Sequence, residues 1–400
     1  MLSIALSALL SFSLLIQQVH TSPCLAFDSD FNLLAFGFGG KDFNLGPQST
    51  WNGNGAVTDI TTTGRPPFDG ANTTCYLAQF FSAIYVINGD ASNPDNVGIY
   101  DATAKSWTTQ QISTSNTGGS SNFDLTSFDA ILDHDTNVFY ALSHGALYNL
   151  DFSALKTTAT SSSIPWLAVS NPPFTTDGYD PVMALAQNHI HFLNVPGAQP
   201  GTADIFVIHF SFFQPTPQAY PINGSSNNFP ETHGQVASFF QPSGQGVQQE
   251  FAFIPADASA TYVINVESNT TAQLAGPSDK SASTFYASVN ALVQLTSDEK
   301  LFFLPYTQGD ASTNAAAQWT SITLTGLPAA GSSSSSSSAS SSATGSSHTS
   351  SASSKSGSGS SSSTGSASTP SNTSAGFTLV ASSVMSLIGG LLVVAATYTL

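Results

Sequence analysis

The sequence predicts an all-β protein in which a unit of four short strands repeats about every 50 residues, the arrangement of a β-propeller. The repeat is carried by five runs of aromatic and β-branched residues that each stop at a turn residue, and their first residues are 54, 52, 61 and 50 positions apart. Each run is preceded by one apolar run and followed by another, and a weaker fourth segment ends the cycle. The five runs are 83–90, 137–144, 189–196, 250–257 and 300–307.

The repeating run is expected to be the second strand of each unit. Expected first strands read FDAILDH, PVMALAQ, GQVASFF and VNALVQL, and expected third strands read VGIYDA, GALYNLDF, ADIFVIHF and ATYVINV. Residues 31–70 hold enough β-like sequence for one more unit, closed by a strand from the other terminus. Six blades are therefore expected, with five or seven as alternatives. A β-sandwich is the competing fold, but it does not require a repeated four-strand unit.

One unit resembles the kelch repeat. Asn88 and Gly89 lie near the position of that family's glycine pair, and Tyr100, Asp101 and Trp107 follow its Tyr-Asp…Trp spacing. Residues 128–326 share only the period and the strand order. The resemblance implies a kelch-like propeller whose ring is closed by pairing of the termini.

The N-terminus has the pattern of a secretory signal peptide. An apolar core over residues 2–16 is short for a membrane span and is followed by polar residues. Cleavage near Thr21 would remove residues 1–21, and cleavage after Ala26 is the alternative. The folded ectodomain is expected over residues 27–330.

The C-terminal residues have the pattern of a glycosylphosphatidylinositol (GPI) anchor signal. Asn372, Thr373 and Ser374 form a small-residue triplet, a polar spacer follows, and residues 377–400 contain no charged side chain. No Lys or Arg follows the apolar run, so a removed tail is favoured over a single-pass helix, which remains the alternative. Attachment is expected at Asn372, with Ser374 as the second candidate.

A low-complexity segment separates the ectodomain from this tail. Residues 331–376 are nearly all Ser, Thr, Gly and Ala, with too few apolar side chains to offset the entropy of ordering them. We expect a disordered, O-glycosylated stalk that holds the ectodomain away from the membrane.

The chain has two cysteines, Cys24 and Cys75. A leftover thiol is unusual in a secreted protein, which favours early signal cleavage and a Cys24–Cys75 disulfide. The alternative is that Cys24 leaves with the signal and Cys75 is a buried small hydrophobe.

Composition limits the partners. Lys and Arg number 7 against 24 Asp and Glu, and the net charge of −17 would repel phosphates, which argues against nucleic acid. Only 8% of residues are charged, so hydroxyls, amides and glycans must supply solubility. N-glycosylation sequons lie at Asn72, Asn223 and Asn269, and Asn372 is in a formal fourth one.

Motifs for catalysis, metals and cofactors are weak or missing. His189 and His191 resemble half of a metal site, but alignment with the other units places His191 at a core position and His189 at a turn. Residues 133–137 start like a calcium loop but lack its later Gly and Glu, so a hairpin turn is expected. Neither a Gly-x-Ser-x-Gly elbow nor a phosphate-binding glycine loop is found. No catalytic residue, metal ligand or cofactor is assigned.

The enzyme alternative is a divergent secreted enzyme, either glycan-active or similar to copper-radical sugar oxidases. The likeness to kelch-like oxidases implies a tyrosine crosslinked to a free cysteine and a Tyr-His copper set. Cys75 would have to be free to serve, and no matching ligand set can be identified.

The favoured function is non-catalytic binding or adhesion by a monomer. The connections after second and fourth strands are long and rich in Pro, Gly and Asn, and loops on a rigid scaffold commonly carry recognition. Aromatic side chains in these connections form the predicted binding face. The alternative is that each ring packs against its own loop and binds no ligand. These side chains are Phe174, Tyr179, Phe229 and Tyr306.

The order of signal, ectodomain, Ser-rich stalk and anchor signal resembles cell-wall and surface proteins of fungi. The resemblance implies a glycoprotein held at the outer face of the plasma membrane or in the wall. Its expected partners are a wall glycan or a surface protein of another cell, and the membrane through the lipid anchor.

Overall fold

The computed structural model describes residues 22–328 except 116, 119–122, 224, 226, 243 and 244. The predicted signal peptide, stalk and C-terminal tail lie outside these residues, as do both candidate GPI attachment sites. Within the described part the chain is almost entirely β-structure, with 27 strands and a single short α-helix, α1 (Ala311–Ala316). The prediction of an all-β protein is confirmed.

Most of the strands form six consecutive units. Unit 1 contains β1 (Cys24–Phe27), β2 (Leu33–Phe38), β3 (Lys41–Gly46) and β5 (Thr58–Asp59). Unit 2 contains β6 (Thr74–Ala78), β7 (Ala83–Ile87), β8 (Asn96–Asp101) and β9 (Ser106–Ser113). Unit 3 contains β10 (Asp129–Asp133), β11 (Val138–Ser143), β12 (Ala146–Asp151) and β13 (Ile164–Ser170).

Unit 4 contains β14 (Met183–Ala186), β15 (His189–Leu193), β16 (Thr202–Val207) and a split fourth strand, β17 (Phe212–Phe213) and β18 (Gln218–Ala219). Unit 5 contains β19 (Gly234–Ser238), β20 (Glu250–Pro255), β21 (Ala260–Asn265) and β22 (Thr270–Ala275). Unit 6 contains β23 (Ser283–Ala287), β24 (Ala291–Thr296), β25 (Leu301–Pro305) and β26 (Thr320–Ser321). Adjacent strands within every unit are antiparallel.

Units 2 and 3 join into an eight-stranded sheet. The fourth strands of the two units, β9 and β13, pair in parallel at the middle of this sheet, with Ile112 opposite Ile164. Its two end strands, β6 and β10, also contact each other. The sheet therefore nearly closes around a core that contains Tyr85, Phe139 and Trp166.

The first strands of the units contact one another in series, in the order β1, β6, β10, β14, β19 and β23. The series returns to its start, because Leu25 in β1 and Tyr286 in β23 pack in the same hydrophobic cluster. Every unit therefore has a neighbour on each side.

The hydrophobic core consists of six clusters, and each lies mainly between two neighbouring units. Burial of both faces explains why the strands read as nearly continuous apolar runs rather than alternating ones. Each interface contains an aromatic pair with ring centres 4.2 to 6.2 Å apart. The pairs, from units 1 and 2 round to units 6 and 1, are Phe36–Trp107, Tyr85–Phe139, Tyr140–Phe206, His191–Phe251, Phe239–Tyr306 and Phe303–Trp51.

The two ends of the described chain meet at unit 1. The last strand, β27 (Thr323–Thr325), pairs in parallel with β4 (Asn52–Ala56). Cys24 at the start of β1 forms a disulfide with Cys75 in β6, which fastens the N-terminal strand to unit 2. Both features match the sequence-based expectation.

The predicted strand order is wrong in unit 6. The run at 300–307 is the third strand, β25, and not the second, while VNALVQL supplies the second strand. The first strand, Ser283–Ala287, is mostly half-buried and begins with Ser and Thr, so it carries a weak apolar signal. The long connection 306–319 therefore follows a third strand, at the other end of the strands from where it was predicted.

Candidate functional site: an aromatic surface at one end of the strands

The predicted binding face does not present its aromatic rings. Phe229 is 1% exposed and Tyr306 is 6% exposed, so neither side chain can stack on a ligand. The hydroxyl of Tyr306 donates to Glu250 at 2.9 Å, which satisfies a buried carboxylate between units 5 and 6. These two residues stabilise the core instead.

Phe174 and Tyr179 are half-buried and hold their own loop in place. The ring of Phe174 packs 5.5 Å from that of Phe192, and the hydroxyl of Tyr179 donates to the carbonyl of Leu193 at 2.7 Å. The long loops fold back onto the sheet because their aromatic side chains gain more from burial than from exposure to water. The four predicted aromatics therefore do not form the site.

The predicted glycosylation sites are on the surface, whereas the candidate metal ligands are in the core or in a turn. Asn72, Asn223 and Asn269 are all exposed and accessible to a glycosylating enzyme. His191 is buried, its Nδ1 lies 3.1 Å from the hydroxyl of Tyr220, and burial lowers its pKa to about 3, so it is a neutral core residue. In the 133–137 turn, the hydroxyl of Thr136 donates to the Asp133 carboxylate. Among the described residues, no group of three His, Cys, Asp or Glu side chains is placed to hold a metal ion.

A surface that the sequence did not indicate lies at the end of the strands where first and third strands finish. Phe80 is 55% exposed, Phe210 is 78% exposed and Phe212 is 45% exposed. Phe80 and Phe210 each lie in a three-residue 3-10 turn that a serine in the left-handed conformation ends. The turns hold the two rings away from the sheet.

The Phe80 ring begins a chain of ring contacts. It lies 5.5 Å from the imidazole of His134, which lies 5.8 Å from Phe240, and Phe240 in turn lies 6.1 Å from Phe31. Burial lowers the pKa of His134, so its imidazole is neutral near pH 7. The chain is therefore uncharged.

The 239–249 connection of unit 5 organises this surface. It follows a first strand and contacts all five other units through side-chain amides, backbone groups and Phe240. Its partners are Phe31 of unit 1, Gln79 of unit 2, His134 of unit 3, Gln187 of unit 4 and Gln308 of unit 6. We call it the bridging loop.

Hydrogen bonds extend the surface from the bridging loop to Phe210. The backbone N–H of Gln187 donates to the carbonyl of Gln248 at 2.7 Å, and Asn188, the next residue, lies 3.1 Å from Nε2 of His209. His209 precedes Phe210 in its turn. The aromatic surface thus comprises Phe31, Phe80, His209, Phe210, Phe212 and Phe240, and the buried ring of His134 lies beneath it between Phe80 and Phe240.

This surface combines apolar rings with amides, and two carboxylates lie beside it: Glu267 accepts from the side chain of Gln187, and Asp135 lies 3.5 Å from Nε2 of His134. Gln187, Asn188, Gln241 and Gln308 are partly exposed beside the rings, and Gln245 in the bridging loop is exposed. Aromatic faces attract the C–H faces of a ligand, and amides both donate to and accept from hydroxyls. Such a surface is suited to a neutral, polyhydroxylated ligand.

Sequence reasoning missed these residues because it looked for long loops. The signal was present in the phenylalanines of QFFS at 79–82 and IHFSFF at 208–213, which extend an apolar run past the end of a strand. A buried strand has no need of further large apolar residues in the turn that follows it.

Comparison with known proteins gives no family. No family model and no curated protein matches the chain. The structure described as Kluyveromyces lactis Hsv2 complete loop 6CD is 10% identical, with 70% of this chain and 72% of that one covered and a TM-score of 0.35. The structure of dihydro-heme d1 dehydrogenase NirN in complex with DHE is 11% identical, with 75% of this chain and 56% of that chain covered and a TM-score of 0.37.

A nidogen/laminin complex is 7% identical, with 71% of this chain and 88% of that chain covered and a TM-score of 0.41. Similarities at this level carry no argument about function. Within the described residues, no helix combines the length and the apolar character that crossing a membrane requires.

Proposed function

We propose that this protein is a surface-anchored, extracellular binding module whose aromatic surface holds a neutral glycan. The single observation that carries the proposal is the set of exposed phenylalanines beside uncharged amides at one end of the strands. Exposing aromatic rings to water costs free energy unless a ligand covers them. Patches of large exposed apolar side chains commonly mark binding sites.

The fold we propose is a six-bladed, kelch-like β-propeller. Six four-strand units, six inter-unit clusters and first strands that contact in series support a closed ring. The hydrophobic cluster shared by units 6 and 1, which includes Leu25 and Val293, and the Trp51–Phe303 ring contact support closure between these units. In such a ring the bridging loop lies over one mouth of the central axis, because it reaches all five other units.

A glycan fits this surface better than a nucleic acid or an anionic lipid. Its exposed residues are mainly aromatic or amide, the neighbouring charged residues Glu267 and Asp135 are acidic, and the whole chain has only 7 Lys and Arg against 24 Asp and Glu. A β-linked glucan or chitin chain presents C–H faces to rings and equatorial hydroxyls to amides. Several rings joined by contacts suit a chain of sugars rather than one sugar.

An extracellular location is supported by three features. The Cys24–Cys75 disulfide belongs to an oxidising compartment, three sequon asparagines are exposed, and the sequence carries the pattern of a signal peptide. The C-terminal sequence supports a GPI anchor at Asn372 and a location at the outer membrane face or the wall of a fungal-type cell.

Binding is proposed without catalysis. The copper-radical alternative needs a free cysteine, and both cysteines of the chain are consumed in the disulfide. The His144–Asp124 pair, at 2.9 Å, has the separation of a catalytic dyad, but the neighbouring Ser143 hydroxyl donates to the carbonyl of Ser127. This pair, in the part of the chain that the structure describes, therefore does not favour an enzyme.

The test is a pull-down of the purified protein on insoluble β-glucan and chitin. Phe80→Ala combined with Phe210→Ala should lose most of the bound fraction, while the free energy of unfolding stays within about 0.5 kcal/mol because both rings are exposed. Leu167→Ala is the matched control, since Leu167 is another exposed large apolar residue but lies on β13, away from the aromatic surface. Equal binding by the double variant would place the site elsewhere.

A further inference from the structure

An open cavity of about 560 Å³ lies between units 4 and 5, at the opposite end of the strands from the aromatic surface. One wall comes from the connection after β15, through Pro200, and a second from the connection after β18, through Ile222, Asn228 and Glu231. Tyr262 in β21 also lines the cavity. The volume is in the range of small-molecule sites.

The walls of this cavity are held in place before any ligand arrives. The backbone N–H of Thr271 donates to the carbonyl of Pro221 and that of Asn223 donates to the carbonyl of Thr271, both at 2.9 Å, so one wall runs along β22. The N–H of Tyr220 donates to the carbonyl of Gly201 at 2.9 Å, which ties the two connections together. Ligand binding would therefore need little ordering of the protein.

Several polar side chains of the cavity lining make no hydrogen bond to the described part of the protein. Tyr262 and Gln273 are directly opposite in neighbouring strands, so the phenol and the amide lie side by side. The structure gives the side chains of Asn228, Glu231 and Gln273 no hydrogen bond within its described part, and all three residues are exposed. The cavity offers amides, a phenol and one carboxylate.

The charge of the cavity selects among ligands. Glu231 is the single acidic residue of the lining, and no Lys, Arg or His lines it. A carboxylate without a protein partner repels anions and attracts a protonated amine, and hydrogen bonds to a charged group are stronger than neutral ones. Pro200, Ile222 and Tyr262 add apolar surface for the body of the ligand.

We propose that this cavity binds a sugar residue with a free, protonated amino group, with Glu231 accepting from the ammonium and the amides hydrogen-bonding the hydroxyls. The proposal goes beyond neutral-glycan binding and does not depend on it, because the two sites share no residue. It also gives a role to the connections after second and fourth strands, whose aromatic rings are buried.

The test is an NMR titration of the purified protein with glucosamine, N-acetylglucosamine and glucose. Glucosamine should bind about tenfold more tightly than the other two, the ratio expected for one charge-assisted hydrogen bond. Glu231→Gln should abolish this preference, and added salt should weaken glucosamine alone. Asp177→Asn is the control, because it removes an exposed carboxylate at the same end outside the cavity lining.

Three results would overturn the proposal. Equal affinity for the three sugars would remove the role of the amine, and unchanged glucosamine binding by Glu231→Gln would remove the role of the carboxylate. Binding that appears only in Asn223→Gln would show that a glycan on the neighbouring Asn223 fills the cavity instead. Phe80→Ala with Phe210→Ala should leave glucosamine binding unchanged, so failure of one site is distinguishable from failure of the other.

Discussion

The Nε2 of Gln79 donates a hydrogen bond of 2.8 Å to the carbonyl oxygen of Gln241, which is 162 residues further along the chain. This contact joins the first-strand turn of unit 2 to the bridging loop of unit 5. It also fixes the position of Phe80, the next residue, relative to Phe240. The aromatic surface is therefore assembled from distant parts of the sequence by the bridging loop.

The disulfide is expected to stabilise the ectodomain substantially. Cys24→Ser with Cys75→Ser should lower the free energy of unfolding by about 4 kcal/mol, because the bond closes a loop with a sequence separation of 51. Urea unfolding followed by tryptophan fluorescence measures the loss, and circular dichroism should still report β-structure. An unchanged midpoint would show that the bond adds nothing to stability.

The ion pair of Arg65 and Asp42 is expected to matter far more than a surface pair. Asp42 is fully buried and accepts from Nε and Nη2 of Arg65 at 2.8 and 2.7 Å. Arg65→Ala should cost about 3–5 kcal/mol, because it leaves a buried carboxylate without its counter-charge. Lys41→Ala breaks the exposed pair with Asp59 and should cost at most about 1 kcal/mol. Similar losses for the two variants in urea unfolding would contradict this.

Asp129 should make stability depend on pH. Burial raises the pKa of its carboxyl from 3.8 to about 7, with the Asp180 carboxylate contributing, although the N–H groups of Met183 and Ala130 donate to it and oppose the rise. The folded state therefore holds a proton that the unfolded state has lost, so this contribution to stability falls as pH rises from about 4 to about 7. Asp129→Asn should remove the fall and be relatively more stable at pH 8 than at pH 5. Parallel urea midpoints for the two proteins across this range would refute the assignment.

The anchor proposal is tested on cells. Phospholipase specific for phosphatidylinositol should release the protein, or glucanase if it has been transferred to the wall. Mass spectrometry should find a C-terminal peptide that ends at Asn372, or at Ser374, and carries the anchor remnant. Recovery of residues 384–400 from the membrane-bound form would exclude a GPI anchor and favour a single-pass helix.

The sequence predicted the strands better than it predicted the site. Units 2 to 5 follow the expected order because their strands are buried on both faces and leave an apolar signal. Unit 6 was displaced by one strand, because Ser283–Ala287 is mostly polar or half-exposed. The repeat of apolar runs therefore predicted the buried strands correctly. It did not predict the strand that is partly exposed to solvent.

The binding aromatics could not be predicted from loop length. Phe229 and Phe80 both lie in connections, yet one is buried and the other is exposed. The difference depends on whether the side chain folds over an apolar neighbour, as Phe229 does on Phe253 of the next unit. The partners of the bridging loop could not be predicted either. They depend on which units lie next to one another in the fold, and the local sequence does not encode this.

The most direct test of the account is calorimetric titration of the purified protein with β-glucan and chitin oligosaccharides of increasing length. We expect affinity to rise with length for at least one of the two series, since a longer chain can contact more of the exposed rings. Phe210→Ala should remove the gain from the added sugars while leaving binding of the shortest ligands unchanged. Affinity that is independent of length in both series, or no binding at all, would contradict a glycan-binding aromatic surface.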